Sequence, residues 1–304
     1  MLTQASNNPG LSVIVASYNA QATIVHCLSS LVHQETRNEY EIIVVDSSTD
    51  DTAVLIQKTF PSVRLLTFAE RKFPGDARNH GIAIARGEII AFVDADCMVG
   101  TAWVDAVMEA HKAPQPLISG VVENGSTTCA LGWAYYFCEF SRWLPTNAGT
   151  SGTEIATCCL TGKKWVFEKY GPFLEGTYCS DAAFQWRCRQ DNVISVSAPS
   201  IRIAHLYSDD IANFLRHMIF HRRSFAAIKS VEQKLPVLQR IGFVLLFPLL
   251  PFLLYLLIMI RVLRSNVPVR HFFIVTPQIL AGLCARAWGE LLGYLTGNVG
   301  SGNT

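Results

Sequence analysis

Two carboxylates, Asp94 and Asp96, close the apolar run Ile89–Val93 in Glu88-Ile-Ile-Ala-Phe-Val-Asp94-Ala-Asp96. The run reads as a fully buried strand. Like charges this close raise each other's pKa unless something positive lies between them. A divalent cation such as Mg²⁺ or Mn²⁺ meets that need: carboxylate oxygens hold it, and water and substrate phosphates take its remaining positions. Strand carboxyl ends are also where open α/β sheets bind ligands. Asp94-x-Asp96 is therefore a candidate metal–diphosphate site, although a lone D-x-D is a common pattern.

The elements around it give the pair a setting. Leu11–Ala16 is a second buried-strand pattern, ending in Ser17-Tyr18-Asn19. A helix is expected next, with Asn19 or Thr23 as N-cap and Ile24, Leu28 and Leu31 on its inner face. Glu41-Ile-Ile-Val-Val-Asp46 is again a strand closing on a carboxylate. Ser47–Thr52 is a turn rich in capping residues, and Asp50 and Asp51 read there as caps before ligands. Val63–Phe68 is a third strand, and a helix over Asp76–Arg86 leads through Gly87 to the strand before Asp94. The order β-α-β-α-β-α-β implies a doubly wound, mostly parallel, Rossmann-like sheet. Ser17–Asn19, Asp46 and Asp94/Asp96 all fall at strand carboxyl ends and are expected along one sheet edge.

Four ordered motifs and one acceptor-side segment resemble a family. Ser12-Val-Ile-Val-Ala-Ser-Tyr-Asn19, Val44-Val-Asp46-Ser-Ser-Thr-Asp-Asp-Thr52, Ala77-Arg78-Asn79-x-Gly81 and Phe92-Val-Asp94-Ala-Asp96 look like the nucleotide-sugar half of a family 2 glycosyltransferase with the GT-A fold. Phe167–Glu175 and Ser180–Arg189 resemble its acceptor-side segment. The resemblance covers roughly Leu11 to Arg189. It implies a donor base packed near Ala16 and Tyr18, with Asp46 hydrogen-bonded to that base and Arg78 near the nucleotide. It places Asp94 on the donor ribose and Asp96 on the metal. Asp181 matches the second residue of an acidic pair and would be the catalytic base. The first residue of that pair, usually Glu, is Ser180 here, and Pro is frequent where this chain has Ala16. Glu175 matches a recurrent acidic position on the acceptor side. His205, in Ser200-Ile-Arg-Ile-Ala-His205-Leu-Tyr207, is similar to a late His that many GT-A enzymes place on the donor metal. Neutral imidazole suits Mn²⁺ or Mg²⁺ beside carboxylates; a locally bonded His at a strand end is the other reading.

Composition bounds the rest. A chain of 304 residues with net charge +1 offers no argument for nucleic acid. Nine cysteines without a C-x-x-C pair read as reduced thiols, which favours a cytosolic face. Met1–Gly10 is polar and lacks a signal-peptide pattern. Near the other end, Ile241–Ile260 is uncharged and long enough to span a bilayer as a helix kinked at Pro248 and Pro251. Phe272–Leu295 is a second apolar stretch in which Arg286 and Glu290 stand i, i+4 apart. Ile211–Lys229 reads as an amphipathic helix, either on a membrane surface or packed on the catalytic half. The aromatic segment from Cys129 to Thr161 suits an acceptor or lipid-facing wall, or ordinary core. The basic residues flanking the first span leave the topology open.

The organisation expected is a tail at 1–10, a GT-A domain at 11–210 (donor half 11–100, acceptor half 101–210), an interface helix at 211–240 and membrane-associated helices at 241–304. The activity expected is inverting, metal-assisted single displacement. A nucleoside-diphosphate sugar would donate to a hydroxyl on a glycan or lipid-linked acceptor. A nucleotidyltransferase would need a Gly-rich basic loop after the first strand, which Ser17-Tyr-Asn-Ala-Gln21 does not supply. A non-catalytic membrane scaffold would be free to lose Asp96 or Asp181, and both are present.

Overall fold

A computed structural model describes residues 8–145 and 156–297. Its first half alternates strand and helix: β1 (Leu11–Ser17), α1 (Ile24–Val32), β2 (Tyr40–Asp46), α2 (Thr52–Thr59), β3 (Arg64–Thr67), α3 (Pro74–Ile84) and β4 (Ile89–Asp94). These four strands pair in parallel in the order β3-β2-β1-β4. Side chains alternate between two buried faces, as parallel strands covered by helices require. Val13, Val15, Ile42 and Val44 point to one core, and Ile14, Ile43 and Val45 to the other. The register sets Ala16 opposite Asp94 and Ser17 opposite Asp46, so the three polar strand ends share one edge.

Local chemistry keeps the start of α1 after Thr23, as expected, and moves both ends of α3. α1 starts at Ile24, but Thr23 makes no side-chain cap bond. Asn19 is not a cap either. It adopts a left-handed conformation (φ 49°), and its Oδ1 accepts from Thr49 N at 2.9 Å. α3 starts two residues before Asp76, because Asp76 serves as the carboxylate one turn in. Its Oδ2 accepts from Phe73 N at 3.0 Å, with Pro74 at the first helical position. The helix stops at Ile84. Just beyond, Arg86 N donates to Glu41 Oε1 at 2.7 Å, a carboxylate also held by Ser12 Oγ and Arg64 at the opposite end of the sheet.

The second half continues with β5 (Cys97–Val99), α4 (Trp103–Ala110), β6 (Leu117–Asn124), α5 (Ala130–Phe140), a 3-10 turn (Thr157–Cys159), β7 (Leu160–Lys163), α6 (Lys164–Tyr170), α7 (Ser180–Gln190) and β8 (Val196–His205). β7 pairs antiparallel with β4, and β6, β8 and β5 follow to complete an eight-stranded mixed sheet. Phe92, Phe167, Phe173 and Phe184 meet edge-to-face or stacked beneath α3, α6 and α7. Truncating such a buried ring costs about 3–5 kcal/mol. That rigid layer underlies the strand end that carries Asp94.

The chain ends in helices: α8 (Ile211–Glu232), α9 (Val237–Leu246), a 3-10 turn (Phe247–Leu249), α10 (Leu250–Leu263), α11 (Val269–Ile274) and α12 (Thr276–Thr296). α12 lies along α8 with its backbone close. A Cβ on Gly289 would strike the Ile219 carbonyl, and one on Gly293 the Arg223 carbonyl. Arg286 and Glu290 do pair, at 3.6 Å. Val237–Leu263 is the one described helical run long and apolar enough to cross a membrane. Pro248 lies in the 3-10 turn and Pro251 in the first turn of α10. Leu238 (82% exposed), Leu245 (73%) and Phe252 (64%) stand out from the rest of the molecule. Parts of the sequence-level divisions, at 1–7, 146–155 and 298–304, lie outside the described residues. That includes the middle of the Cys129–Thr161 segment; before it, Trp133, Tyr136, Phe137 and Phe140 are buried in the core.

Candidate functional site

The tight turn between β4 and β5 projects Asp94 and Asp96 from the sheet edge. Asp94 is not left to a cation alone: Arg78 Nη2, from α3, meets its Oδ1 at 2.8 Å. The like charge read from the sequence is thus partly offset from within the fold, by an α3 guanidinium on Asp94.

Asp96 is tied to the end of β8. Its carbonyl accepts from Leu206 N at 2.7 Å, and its Oδ1 lies 3.4 Å from His205 Nε2. His205 Nδ1 is 2.8 Å from the Leu206 carbonyl. A carbonyl only accepts, so Nδ1 carries the proton, and in the neutral ring the Nε2 lone pair faces the carboxylate. Two lone pairs aimed at each other call for a proton or a cation between them. A main-chain carbonyl that orients a ligating His in this way is the usual arrangement behind metal sites. One ring nitrogen of His205 is thus bonded locally, and the other faces Asp96. The Cys97 thiol also lies in this cluster, with one potential ligand atom from each residue within 4.8 Å of the others. These donors fit a divalent ion, and the imidazole and carboxylate suit Mg²⁺ or Mn²⁺. Enclosure by the cleft raises the Asp96 carboxyl, the nearby His205 opposes that, and Asp94 adds to it.

Ala16, Tyr18, Asp94 and Asp96 line a cleft of about 580 Å³, with Arg71 and Tyr207. The Arg71 guanidinium sits 4.3 Å from the Tyr18 ring centroid, so the Tyr18 platform is flanked by a cation. Asp46 lines no described cavity. It is 2% exposed, and its two oxygens accept from Ser48 N at 3.1 Å and Ser48 Oγ at 2.6 Å. Ser48 Oγ in turn accepts from Asn19 N at 2.8 Å, bracing the loop that carries Tyr18.

A second cavity, of about 270 Å³, is lined by Asp96, His205 and Asp181 together. Asp181 sits in the first turn of α7, after Cys179 in left-handed conformation (φ 56°). Its Oδ2 accepts from Thr157 Oγ1 at 2.7 Å and its Oδ1 from Ala182 N at 2.9 Å. Each oxygen keeps acceptor capacity beyond these bonds. Ser180 is buried beneath Gly75, where a Cβ would meet its Oγ. Glu175 is exposed on the loop before α7 and lines no described cavity.

The sequence reading missed an entire wall. Glu139 from α5 and His217, His221 and Arg222 from α8 line this second cavity. Glu139 Oε1 lies 3.0 Å from His217 Nε2. Burial alone would raise Glu139, but His217, with His221 and His205 behind it, holds it well below the usual carboxylate range. Burial would lower His217, and Glu139 overrides it, raising the imidazole's pKa. The i, i+4 spacing of His217 and His221 was a visible signal for one polar face on α8.

The sequence profile of Glycosyl transferase family 2 matches residues 12–166. The chain is 39% identical over 89 residues to the succinoglycan biosynthesis protein ExoO of Rhizobium meliloti (strain 1021), covering 29% of this chain and 26% of that protein. It is 37% identical over 97 residues to the poly(ribitol-phosphate) beta-glucosyltransferase of Bacillus spizizenii, covering 30% of this chain and 15% of that protein. It therefore spans about a quarter or less of the length of these two relatives. Mannosyltransferase PcManGT from Pyrobaculum calidifontis, solved in complex with GDP-Man and Mn²⁺, superposes with TM-score 0.57 at 18% identity, over 96% of this chain and 86% of that one. That likeness establishes a shared GT-A fold. The profile covers half of the chain, from β1 through β7 into α6, and the motif-bearing strand ends fall inside it, so this chain belongs to glycosyl transferase family 2.

Proposed function

We propose that the chain is an inverting glycosyltransferase that moves a sugar from a nucleoside-diphosphate sugar to an acceptor hydroxyl in one displacement. The observation that supports this reading is the single cavity lined by Asp96, His205 and Asp181, which would put a bound cation and a carboxylate base within one enclosure. The donor occupies the larger cleft, its base against Tyr18 and the loop braced by Asp46, and its ribose near Asp94, which Arg78 holds in place. Asp96 and His205 would hold Mg²⁺ or Mn²⁺, which would supply positive charge against that developing on the leaving diphosphate. Asp181, fixed by Thr157 and the Ala182 amide, takes the acceptor hydroxyl's proton as it attacks the anomeric carbon from the opposite face.

The acceptor is a glycan or a lipid-linked sugar. Relatives named for succinoglycan biosynthesis and poly(ribitol-phosphate) glucosylation support a polymeric or carrier-linked class. The exposed apolar run Val237–Leu263 supports attachment to a membrane, with the catalytic half on its cytosolic face. In this reading 11–210 is the catalytic domain, divided near residue 100; 211–240 connects it to the membrane-associated helices at 241–304. Glu175 belongs to the acceptor-side rim.

The test is linkage. Nucleoside diphosphate is titrated with and without Mn²⁺. Metal is expected to tighten nucleotide, and nucleotide to tighten metal by the same factor. Asp96→Ala is expected to abolish the coupling and His205→Ala to weaken it. Equal nucleotide affinity in both conditions would overturn the metal-bridged donor site.

A further inference from the structure

A third cavity, of about 160 Å³, opens between the other two. It shares Arg71, Tyr178 and His217 with the donor cleft, and Tyr178, His217 and His221 with the Asp181 cavity. Arg216, exposed on α8, completes its basic side. No carboxylate lines it among the described residues. The nearest acid in this cluster, Glu139, bonds His217 from within the Asp181 cavity. Two guanidinium groups therefore border a small void, with the His217 imidazole held toward its charged form by Glu139 and the His221 imidazole neutral as a hydrogen-bonding group, and Arg222 lines the adjoining cavity. A neutral sugar needs no such charge. A phosphate needs it: guanidinium groups give planar, paired donors matched to phosphate oxygens.

Position assigns the anion to the acceptor. A hydroxyl on Asp181 lies in the cavity walled by His217 and His221, and those residues also wall the small void. An acceptor seated on the base thus extends into the basic cavity. The donor diphosphate is accounted for at the Asp96 and His205 end of the cleft. We infer that the cavity of Arg71, Arg216, His217 and His221 is an anion subsite for a phosphate or pyrophosphate ester carried by the acceptor near its reacting hydroxyl. The inference rests on the proposed donor and base assignment and adds a chemical class of acceptor to it. Two sources share this chemistry: a sugar carried on a prenyl phosphate or pyrophosphate, and a polyol phosphate unit.

Full-length protein in detergent is first titrated with nucleoside diphosphate and Mn²⁺. A failure to bind at this step would count against the transferase reading. With nucleotide saturating, citronellyl phosphate and glycerol phosphate are then titrated by calorimetry. Binding of either supports the subsite, and the tighter of the two identifies the source. Arg216→Gln, at an exposed helix position, is expected to weaken phosphate binding by about tenfold, the scale of one lost charge-assisted hydrogen bond. His221→Asn provides an independent second variant with the same expected direction. Nucleotide binding with no phosphate binding, or phosphate affinity unmoved by both variants, would overturn the inference. Phosphate displaced by nucleotide, or an equal fall in nucleotide affinity in Arg216→Gln, would assign the cavity to the donor and overturn it as well.

Discussion

Asp181, half-buried at a cavity, and His111, buried in the core, are titratable groups in very different settings. Among the described residues Asp181 is anchored by two hydrogen bonds. Asp181→Asn keeps its size and is expected to leave nucleotide affinity near wild type while cutting turnover by roughly 10²–10⁴-fold, the range for losing a general base. Parallel turnover and nucleotide-binding measurements check this, and a near-wild-type rate would remove Asp181 from the mechanism. His111 is 7% exposed, and its Nε2 bonds Thr161 Oγ1 at 2.8 Å. Burial and then the charge of Lys163 push its imidazole down to about 4, against about 6.5 in an unfolded chain. As pH falls, the unfolded state takes the proton first, so stability rises with pH across this window. The His111 contribution is complete above about pH 6.5 and is lost progressively down to about pH 4. Melting temperatures across that window should fall less steeply in His111→Gln than in wild type. His221, lowered to about 3 by burial and Arg222, leaves part of the slope in place. Identical slopes in the two proteins would refute the assignment.

At the scale of elements, the contact between α8 and α12 positions the α8 residues that line the Asp181 cavity. α8 presents His217, His221 and Arg222 to the Asp181 cavity, and α12 sets how closely α8 can lie. Gly289 and Gly293 allow the two backbones to touch. Helix propensity alone favours Ala over Gly by about 1 kcal/mol, but at Gly289 the new methyl meets the Ile219 carbonyl. Gly289→Val is expected to destabilise by about 1–3 kcal/mol through overpacking, and to lower turnover because α8 is pushed away. Urea unfolding and a turnover assay read the two effects separately. Gly242 on α9 has nothing within 4 Å of its missing Cβ, so Gly242→Ala should retain both stability and activity. If both variants behaved alike, glycine content rather than backbone proximity would be the determinant.

For the whole molecule, a mixed α/β sheet with a polar edge is joined to helices whose outer surface is apolar. Leaving side chains such as Leu245, Leu249 and Phe252 in water forfeits about 25 cal/mol for each Å² of apolar area. A bilayer removes that cost, and the removal does not depend on charge screening. Full-length protein is therefore expected to remain with membranes through high-salt and alkaline carbonate washes and to be released by detergent. Release by carbonate alone would show that Val237–Leu263 is covered by protein instead.

Much of this was legible along the chain because it is local. Strand periodicity placed Asp46, Asp94 and Asp96 at carboxyl ends, and alternation with helices dictated parallel pairing that brings those ends to one edge. An uncharged run of sufficient length marked Ile241–Ile260. Spacing along the chain does not state where a side chain points once distant elements pack. Asp46 turns inward to Ser48, and Glu175 stays outside every described cavity. Arg78 reaches across from α3 to Asp94. The His205 tautomer follows from one main-chain carbonyl. The wall of Glu139, His217 and Asp181 joins residues from three helices far apart in the chain. Their meeting depends on α12 lying against α8 and on the helix layers around the sheet. That is a matter of close packing between surfaces, which no single segment encodes.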